Sequence, residues 1–116
     1  MITEDEMDHV FQALAHATRR TILDLLRQAP GQGVGELAAH FDTSRIAVMN
    51  HLAVLEKAGL VTSHKEGRTR RLYLNAVPIR MIQERWSDEF SDHWAGRLTG
   101  IKYLAEQAAR GKGETE

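Results

Sequence analysis

The stretch SRIAVMNHLAVLEKAGLV, from Ser44 to Val61, is the most informative part of the sequence because it contains a helix together with both of its end signals. Ser44 can cap the amino end, and Gly59 can adopt the left-handed conformation that ends many helices. At 100° per residue, the helix has two different sides. The inner side is apolar and should face a core: Val48, Leu52, Leu55 and Ala58. The outer side is mixed: Ile46, Met49, Asn50, Ala53 and Lys57, with Arg45 and Glu56 at its edge.

The outer side is too apolar for an ordinary solvated surface, and a DNA major groove would suit it. Arg45 can donate to guanine O6 and N7, Asn50 can pair with adenine N6 and N7, and apolar side chains can touch thymine methyl groups. The predicted base-reading residues are therefore Arg45, Ile46, Met49 and Asn50. One alternative is that this face packs on another helix of the same domain or on the dimer partner, and another is that the winged helix binds a different protein. His51 falls on the inner side and is expected to be a packing residue.

The residues before this helix complete a helix-turn-helix. A short helix, GELAAHF, is followed by the polar residues 42–44, which predict a tight turn. Two helices joined by a three-residue turn, the second one well capped, are typical of a helix-turn-helix, here over residues 36–58.

A β-hairpin is predicted directly after the helix, over residues 60–75. Its strands should be Leu60–His64 and Thr69–Leu74, around the turn residues KEGR. Leu72 and Leu74 share a face that can cover the helical core. The basic residues near the tip, together with Lys57, are predicted to contact the DNA backbone: Arg68, Arg70 and Arg71.

Two helices are predicted at the amino end of the chain. Thr3 and Glu6 fit a capping box for a helix over residues 4–16. A second helix should run from Thr18 to Gln28, with three apolar residues inward: Ile22, Leu25 and Leu26.

Two arginines, Arg19 and Arg20, would lie in the first turn of the second helix, where a cation opposes the helix dipole. Such residues are expected to have specific anionic partners. Asp24, four residues after Arg20, is the preferred partner over a DNA phosphate.

A long final helix is predicted over residues 78–108, opened by Pro78. Its apolar stripe exceeds what one small core can absorb, which indicates a second copy of the chain, although the stripe could instead fold back within one chain. The predicted dimer interface combines the first and last helices: Val10, Phe11, Leu14, Trp86, Phe90, Trp94, Leu98 and Ile101.

Length and composition indicate one domain. A chain of 116 residues with 42% hydrophobic residues can form a single core over residues 1–110, followed by a disordered tail at 111–116. The fold class is mainly α with a small β-hairpin, an α+β winged helix-turn-helix. Apolar runs are too short to span a membrane, and the acidic start lacks the pattern of a signal peptide, so a cytoplasmic protein without membrane contact is expected.

Charge is unevenly distributed although the net charge is only −1. Residues 45–75 hold six Lys and Arg against two Asp and Glu, a net +4, whereas residues 1–44 hold three against seven, a net −4. A local basic region is expected for a nucleic-acid contact, although a solvated charged hairpin would look the same.

Three motifs in this order resemble the ArsR family of bacterial winged-helix repressors: LAHATRRTILDLL, VGELAAHFDTSRIAVMNHLAVLEKAGLV and KEGRTRRLYLN. The similarity runs from about His9 to Leu104. It is strongest to a metal-independent branch with a characteristic last helix, matched here by Trp94, Arg97, Leu98, Tyr103 and Leu104. The resemblance implies a homodimer that binds an inverted-repeat, double-stranded DNA operator. It places Thr43 and Ser44 near phosphates.

The resemblance also bears on ligands. Many members of the family sense metals through cysteine pairs or through aspartate and histidine sets, but this chain has no cysteine and only His93 on its last helix. No metal site and no cofactor are therefore expected. Two carboxylate and histidine pairs, Asp5 with His9 and Glu89 with His93, leave a metal-responsive sensor as an alternative. Members of this branch are often encoded beside a small-molecule-binding protein, so an effector of unknown identity belongs to the expectation. Nothing in the sequence indicates an enzyme.

Overall fold

The computed structural model describes residues 1–87 and 105–108. It contains five helices and one hairpin in that part of the chain: α1 Glu4–Leu14, α2 Ala17–Gln28, α3 Val34–Ala38, α4 Arg45–Lys57, β1 Val61–Glu66, β2 Thr69–Leu74 and α5 Val77–Trp86. Residues 105–108 are also helical. The predicted class, mainly helical with one antiparallel hairpin, is confirmed.

The chain divides into two compact units, Met1–Ile82 and Gln83–Glu116, where the sequence predicted one domain over residues 1–110. The first unit contains the helix-turn-helix and the hairpin. Its fully buried side chains come from α1 to α4, the loop after α4 and β2: Val10, Ile22, Leu26, Leu37, Val48, Leu52, Leu55, Leu60 and Leu72. The division falls within α5, because Ile82 still packs on this core whereas residues 83–87 are exposed.

The first helix begins where the sequence predicts, since Thr3 Oγ1 accepts a hydrogen bond from Glu6 N at 3.1 Å. It ends two residues earlier than predicted, at Leu14 rather than His16. The reason is that His16 has extended backbone and caps α2, accepting a hydrogen bond from Thr18 N through Nδ1 at 3.1 Å.

The arginines at the start of α2 have a different partner from the one predicted. Arg20 Nη1 donates to Leu14 O at 2.7 Å, and Arg19 Nε donates to Ala13 O at 2.8 Å. These carbonyls end α1 and carry the negative end of its dipole, so the preference for Asp24 was wrong. The two arginines cap α1 from outside and fasten it to α2.

The turn between α3 and α4 is longer than the predicted three residues. The α-helix ends at Ala38. The next residues form hydrogen bonds to the carbonyl three positions earlier, from His40 N to Leu37 O and from Phe41 N to Ala38 O. The carboxyl end of α4 forms as predicted, because Gly59 has φ +76° and Leu60 N donates back to Leu55 O at 2.9 Å.

The hairpin pairs Val61 with Leu74 and Glu66 with Thr69. β1 therefore extends two residues further towards the turn than predicted, β2 has its predicted bounds, and the turn has two residues instead of four. Gly67 opens that turn with φ +63°. The opposite edge of β2 is also covered, because Leu72 N donates to Gln32 O at 2.9 Å. Leu72 is therefore fixed by backbone pairing on both sides and is fully buried.

The predicted dimer residues fall into three groups. Val10 is completely buried in the core of its own chain, so a partner subunit cannot reach it and its assignment to an interface was wrong. Phe11 and Trp86 are 49% and 58% exposed, and Leu14 packs partly against the core. The remaining four lie outside the described residues: Phe90, Trp94, Leu98 and Ile101.

The last helix is not continuous as predicted. α5 begins at Val77, one residue before Pro78, and ends at Trp86, and Ser87 is not helical. Serine competes for backbone hydrogen bonds and favours helix boundaries, which the apolar periodicity alone does not show. The predicted tail at residues 111–116 lies outside the described part. In that part, no helix is long and apolar enough to cross a membrane.

Candidate nucleic-acid interface

The amino end of α4 presents the face that the sequence singled out. Ser44 Oγ accepts a hydrogen bond from Ala47 N at 3.1 Å and caps the helix. Val48, Leu52 and Leu55 bury the inner side. The four predicted base-reading residues are all exposed: Arg45, Ile46, Met49 and Asn50. Ile46 is 71% exposed, which is a large apolar side chain left without cover in the monomer.

A cleft of about 440 Å³ joins this face to the hairpin. Its walls are the amino end of α3 at residues 33–36, Arg45 and Met49 of α4, and residues 68–70 of the hairpin. Arg45 reaches towards α3, since a side-chain carbon on Gly35 would lie 3.9 Å from Arg45 Nη1. The helix and the hairpin turn are therefore close enough to contact one ligand together.

The predicted backbone-contacting residues on the loop and helix are exposed as well. Thr43 and Ser44 lie at the start of α4, and Lys57 lies at its end. The Ser44 hydroxyl uses an oxygen lone pair for its cap, so its O–H group can still donate to a phosphate. Arg68 is exposed at the hairpin turn, and its side chain has no hydrogen bond or ion pair with residues 1–87 and 105–108.

Arg70, which the sequence predicts to contact the DNA backbone, already has an acidic partner within the chain. Its Nη2 forms an ion pair with Glu56 Oε1, which ties the hairpin to the last turn of α4. Glu56 belongs to the edge of the outer helix face, so this carboxylate neutralises one of the three hairpin arginines.

Arg71 has contacts within the chain, and its predicted contact with the DNA backbone stays a prediction. It lies on the opposite side of β2 and is about one-third exposed. Its Nη1 donates to Gly31 O at 3.2 Å and lies 3.6 Å from Glu36 Oε1, and its Nε lies 3.5 Å from Glu66 Oε2. These interactions fasten the hairpin to the loop before α3.

Replacement of Glu56 by glutamine should strengthen binding to every duplex. The change removes a negative charge near the phosphates and releases Arg70, so the slope of log affinity against log salt should steepen by about 0.9 per protomer. Loss of the ion pair itself should change stability by at most about 1 kcal/mol. Affinity measured across a salt series tests this.

The matched control is Glu66→Gln, which removes the same charge from the hairpin but leaves Arg70 paired with Glu56. It should raise affinity less and leave the salt slope nearly unchanged. Weaker binding by Glu56→Gln on all sequences would instead mean that the ion pair holds the hairpin in its binding position.

Comparison with known proteins agrees with this geometry. A family model described as a helix-turn-helix domain matches residues 14–64. HTH-type transcriptional regulator Rv2034 of Mycobacterium tuberculosis is 37% identical over 107 residues, covering 91% of this chain and 94% of that protein. Transcriptional repressor SdpR of Bacillus subtilis is 34% identical over 74 residues, covering 64% and 81%.

Solved structures give the same answer at the level of the fold. An ArsR-like transcriptional regulator from Rhodococcus sp. RHA1 is 34% identical with a TM-score of 0.67, covering 89% of this chain and 93% of that one. The homodimeric winged helix-turn-helix DNA-binding domain Mb0332 from Mycobacterium bovis is 28% identical with a TM-score of 0.60, covering 66% and 71%. The chain therefore belongs to the ArsR family of winged helix-turn-helix transcriptional regulators, which bind DNA.

Proposed function

We propose that the protein is a homodimeric repressor that binds an inverted-repeat operator, with α4 in the major groove and the hairpin as a wing on the flanking backbone or minor groove. The observation that carries the proposal is the convergence of Arg45, Met49 and Arg68 on one cleft. The repressor SdpR among the relatives supports repression as the outcome.

Within the major groove, Arg45 would pair with a guanine and Asn50 with an adenine, while Ile46 and Met49 would touch thymine methyl groups. This assignment explains why the exposed face of α4 is apolar between polar ends. Ile46 would lose its exposed surface only on DNA binding, which favours the specific complex.

The backbone contacts would come from Thr43 and Ser44 before α4, Lys57 at its end and Arg68 in the wing. These groups would set the register of α4 on the duplex without reading sequence. Arg70 would join them only when its ion pair with Glu56 opens.

The dimer would use the first and last helices. Phe11 is exposed on α1, and Val77, Ile79 and Met81 are exposed on α5, which is more apolar surface than a solvated helix needs. The predicted apolar stripe would extend this interface through Trp86, Phe90, Trp94, Leu98 and Ile101. The homodimeric relative from M. bovis supports a dimer of this kind.

Footprinting of the purified protein on the DNA upstream of its own gene tests the proposal, together with sedimentation at micromolar concentration. We expect a dimer that protects two inverted half-sites about one helical turn apart. In vitro transcription from that promoter should fall when the protein is added. A folded 13.1 kDa monomer without a footprint would contradict the proposal.

An interaction module for another protein is the second candidate, because Ile46 is 71% exposed and could insert into an apolar pocket. Under that alternative, Ile46→Asp would abolish a stoichiometric protein complex while Arg45→Ala would leave it intact. Under the DNA-binding proposal, both changes should weaken operator binding.

Operator binding should be indifferent to zinc, cadmium, nickel and arsenite. The chain has no cysteine, and no three His, Asp or Glu side chains within the described ranges are grouped to hold a metal ion. Asp5 and His9 are close, but His9 Nδ1 donates to Asp5 O at 2.8 Å. The operator affinity of the dimer, measured with each ion and again with chelator, should stay constant. A metal-dependent shift that His93→Ala or His9→Ala abolishes would support the sensor alternative.

A further inference from the structure

Three helices meet at one arginine, Arg19. Besides its bond to Ala13 O, its Nη2 donates to Gln12 O at 3.0 Å, so two carbonyls at the end of α1 are held by one guanidinium. Its Nη1 lies 3.3 Å from Nδ1 of His51, in the middle of α4. Arg19 itself belongs to α2. It therefore connects α1, α2 and the helix proposed to enter the major groove.

A hydrogen bond between Arg19 and His51 requires one protonation state of the imidazole. A guanidinium has only N–H donors, so His51 Nδ1 must offer a lone pair. The hydrogen bond therefore requires a neutral His51 ring with its hydrogen on Nε2. Addition of a proton at Nδ1 would remove the acceptor and bring two cations together.

A second imidazole, that of His16, lies beside His51 and also needs a nitrogen without a proton. The contacts of Arg19, His16 and His51 are called the junction below. His16 Nδ1 accepts the hydrogen bond from Thr18 N that caps α2, so it also needs an unprotonated Nδ1. The His16 and His51 rings are 4.5 Å apart between centroids. Protonation of His51 at Nδ1 would break its hydrogen bond with Arg19 and place a cation beside the guanidinium.

We propose that Arg19 and His51 are positioning residues for operator binding, joining α1 to α4 through a hydrogen bond that exists only while His51 is neutral. The inference rests on the proposed function, in which α1 contributes to the dimer interface and α4 enters the groove. The junction would then set the separation between the two α4 helices of a dimer. Acidification would break the hydrogen bond between Arg19 and His51, so this separation would no longer be fixed.

The electrostatic surroundings give the direction of the effect. Burial lowers the pKa of His51 from its usual 6.5, and the nearby His16 and Arg19 lower it further. These two groups face His51 from the α2 segment, while α1 offers backbone carbonyls. Because the folded-state pKa lies below the unfolded value, the stability from the neutral junction is lost as pH falls below about 6.5, and the loss is complete below the folded-state pKa.

The expected loss has the opposite sign to the general effect of acid on DNA binding. Additional positive charge on a protein strengthens its attraction to phosphates at any sequence. A fall in the ratio of operator affinity to random-duplex affinity on acidification is therefore specific to a change in the positioning of the base-reading helix.

The test measures this affinity ratio at pH 7.5 and 5.5 at constant ionic strength. For the unaltered protein, we expect the ratio to fall on acidification, because protonation of His51 removes the acceptor for Arg19. In His51→Asn, the amide oxygen can replace Nδ1 as a non-titrating acceptor, so the ratio should stay near its pH 7.5 value.

The matched control is His9→Asn. His9 Nδ1 acts as a donor to Asp5 O, so protonation of His9 breaks no bond, and this variant should keep the pH dependence of the unaltered protein. Arg19→Lys, which keeps the charge but not the three-way geometry, should lower operator affinity at both pH values and leave random-duplex affinity unchanged.

A ratio that does not fall between pH 7.5 and 5.5, or one that His9→Asn flattens as much as His51→Asn does, would overturn the inference. Urea unfolding provides a readout without DNA: the unaltered protein should lose stability on acidification relative to His51→Asn, and equal losses would also overturn it. If no variant binds an operator at pH 7.5, the proposed function fails, and unfolding alone then decides on the junction.

Discussion

Replacement of Leu72 by alanine should lower the free energy of unfolding by about 2–5 kcal/mol. Leu72 is completely buried, and its strand is paired with Ser63 on one side and with Gln32 on the other. These two backbone connections keep the strand from collapsing into the space that the smaller side chain leaves. A loss of this size is a large share of the stability of a small domain.

Leu74→Ala is the matched control for that change. Leu74 lies on the same strand and the same face but is only partly buried, so its truncation should destabilise the protein by clearly less. Urea unfolding of both variants provides the comparison. Equal losses, or a larger loss for Leu74→Ala, would mean that the hairpin is not anchored to the core through Leu72.

Replacement of Arg45 by alanine should weaken operator binding by about 1–3 kcal/mol for each guanine that the arginine pairs with, which is roughly five- to 150-fold. Arg45 is exposed at the start of α4 and lines the cleft shared with the hairpin. Affinity for random duplex should fall much less, because pairing with a base contributes mainly to the specific complex. Asn50→Ala should behave similarly with a smaller effect.

Arg68→Ala should produce a different pattern. Since Arg68 is exposed at the hairpin turn, its loss should weaken binding to operator and random duplex alike. The salt slope should flatten by about 0.9 per protomer if the arginine neutralises one phosphate. Affinities for both duplexes, measured across a salt series, distinguish the role of Arg45 from that of Arg68. Selective loss of operator affinity in Arg68→Ala would mean that the wing reads sequence.

The helix-turn-helix and its exposed face could be predicted from the sequence because their signals are local. Ser44 and Gly59 mark the ends of α4 within a few residues, and the spacing of Val48, Leu52 and Leu55 determines which side is buried. Signals of this kind depend on backbone geometry and helical period, which a single sequence contains.

The partners of the arginines could not be predicted in the same way, because they depend on which segments the tertiary fold brings together. Arg70 meets Glu56 across 14 positions of sequence, and Arg19 meets His51 across 32. In the sequence, all three arginines near the hairpin tip look equally free to contact DNA. Only the folded structure reveals that Arg70 already pairs with Glu56 of α4 and that Arg71 already donates to Gly31 O.

The unbroken last helix was predicted from apolar spacing, which does not record helix ends. Trp86 continues the pattern of apolar residues, but Ser87 follows it with a side chain that favours boundaries. Likewise, periodicity put Val10 on an apolar stripe but could not separate core from interface. Burial in the folded unit makes that distinction.

The most direct test of α4 as the base-reading element is the affinity of the protein and its variants for a set of operators that differ at single base pairs. We predict that Arg45→Ala relaxes base preference at one symmetric position in each half-site, whereas Arg68→Ala leaves every preference unchanged. If Arg68→Ala alters base preference while Arg45→Ala preserves it, then α4 does not read the operator. Its exposed apolar face would then be a contact for another protein.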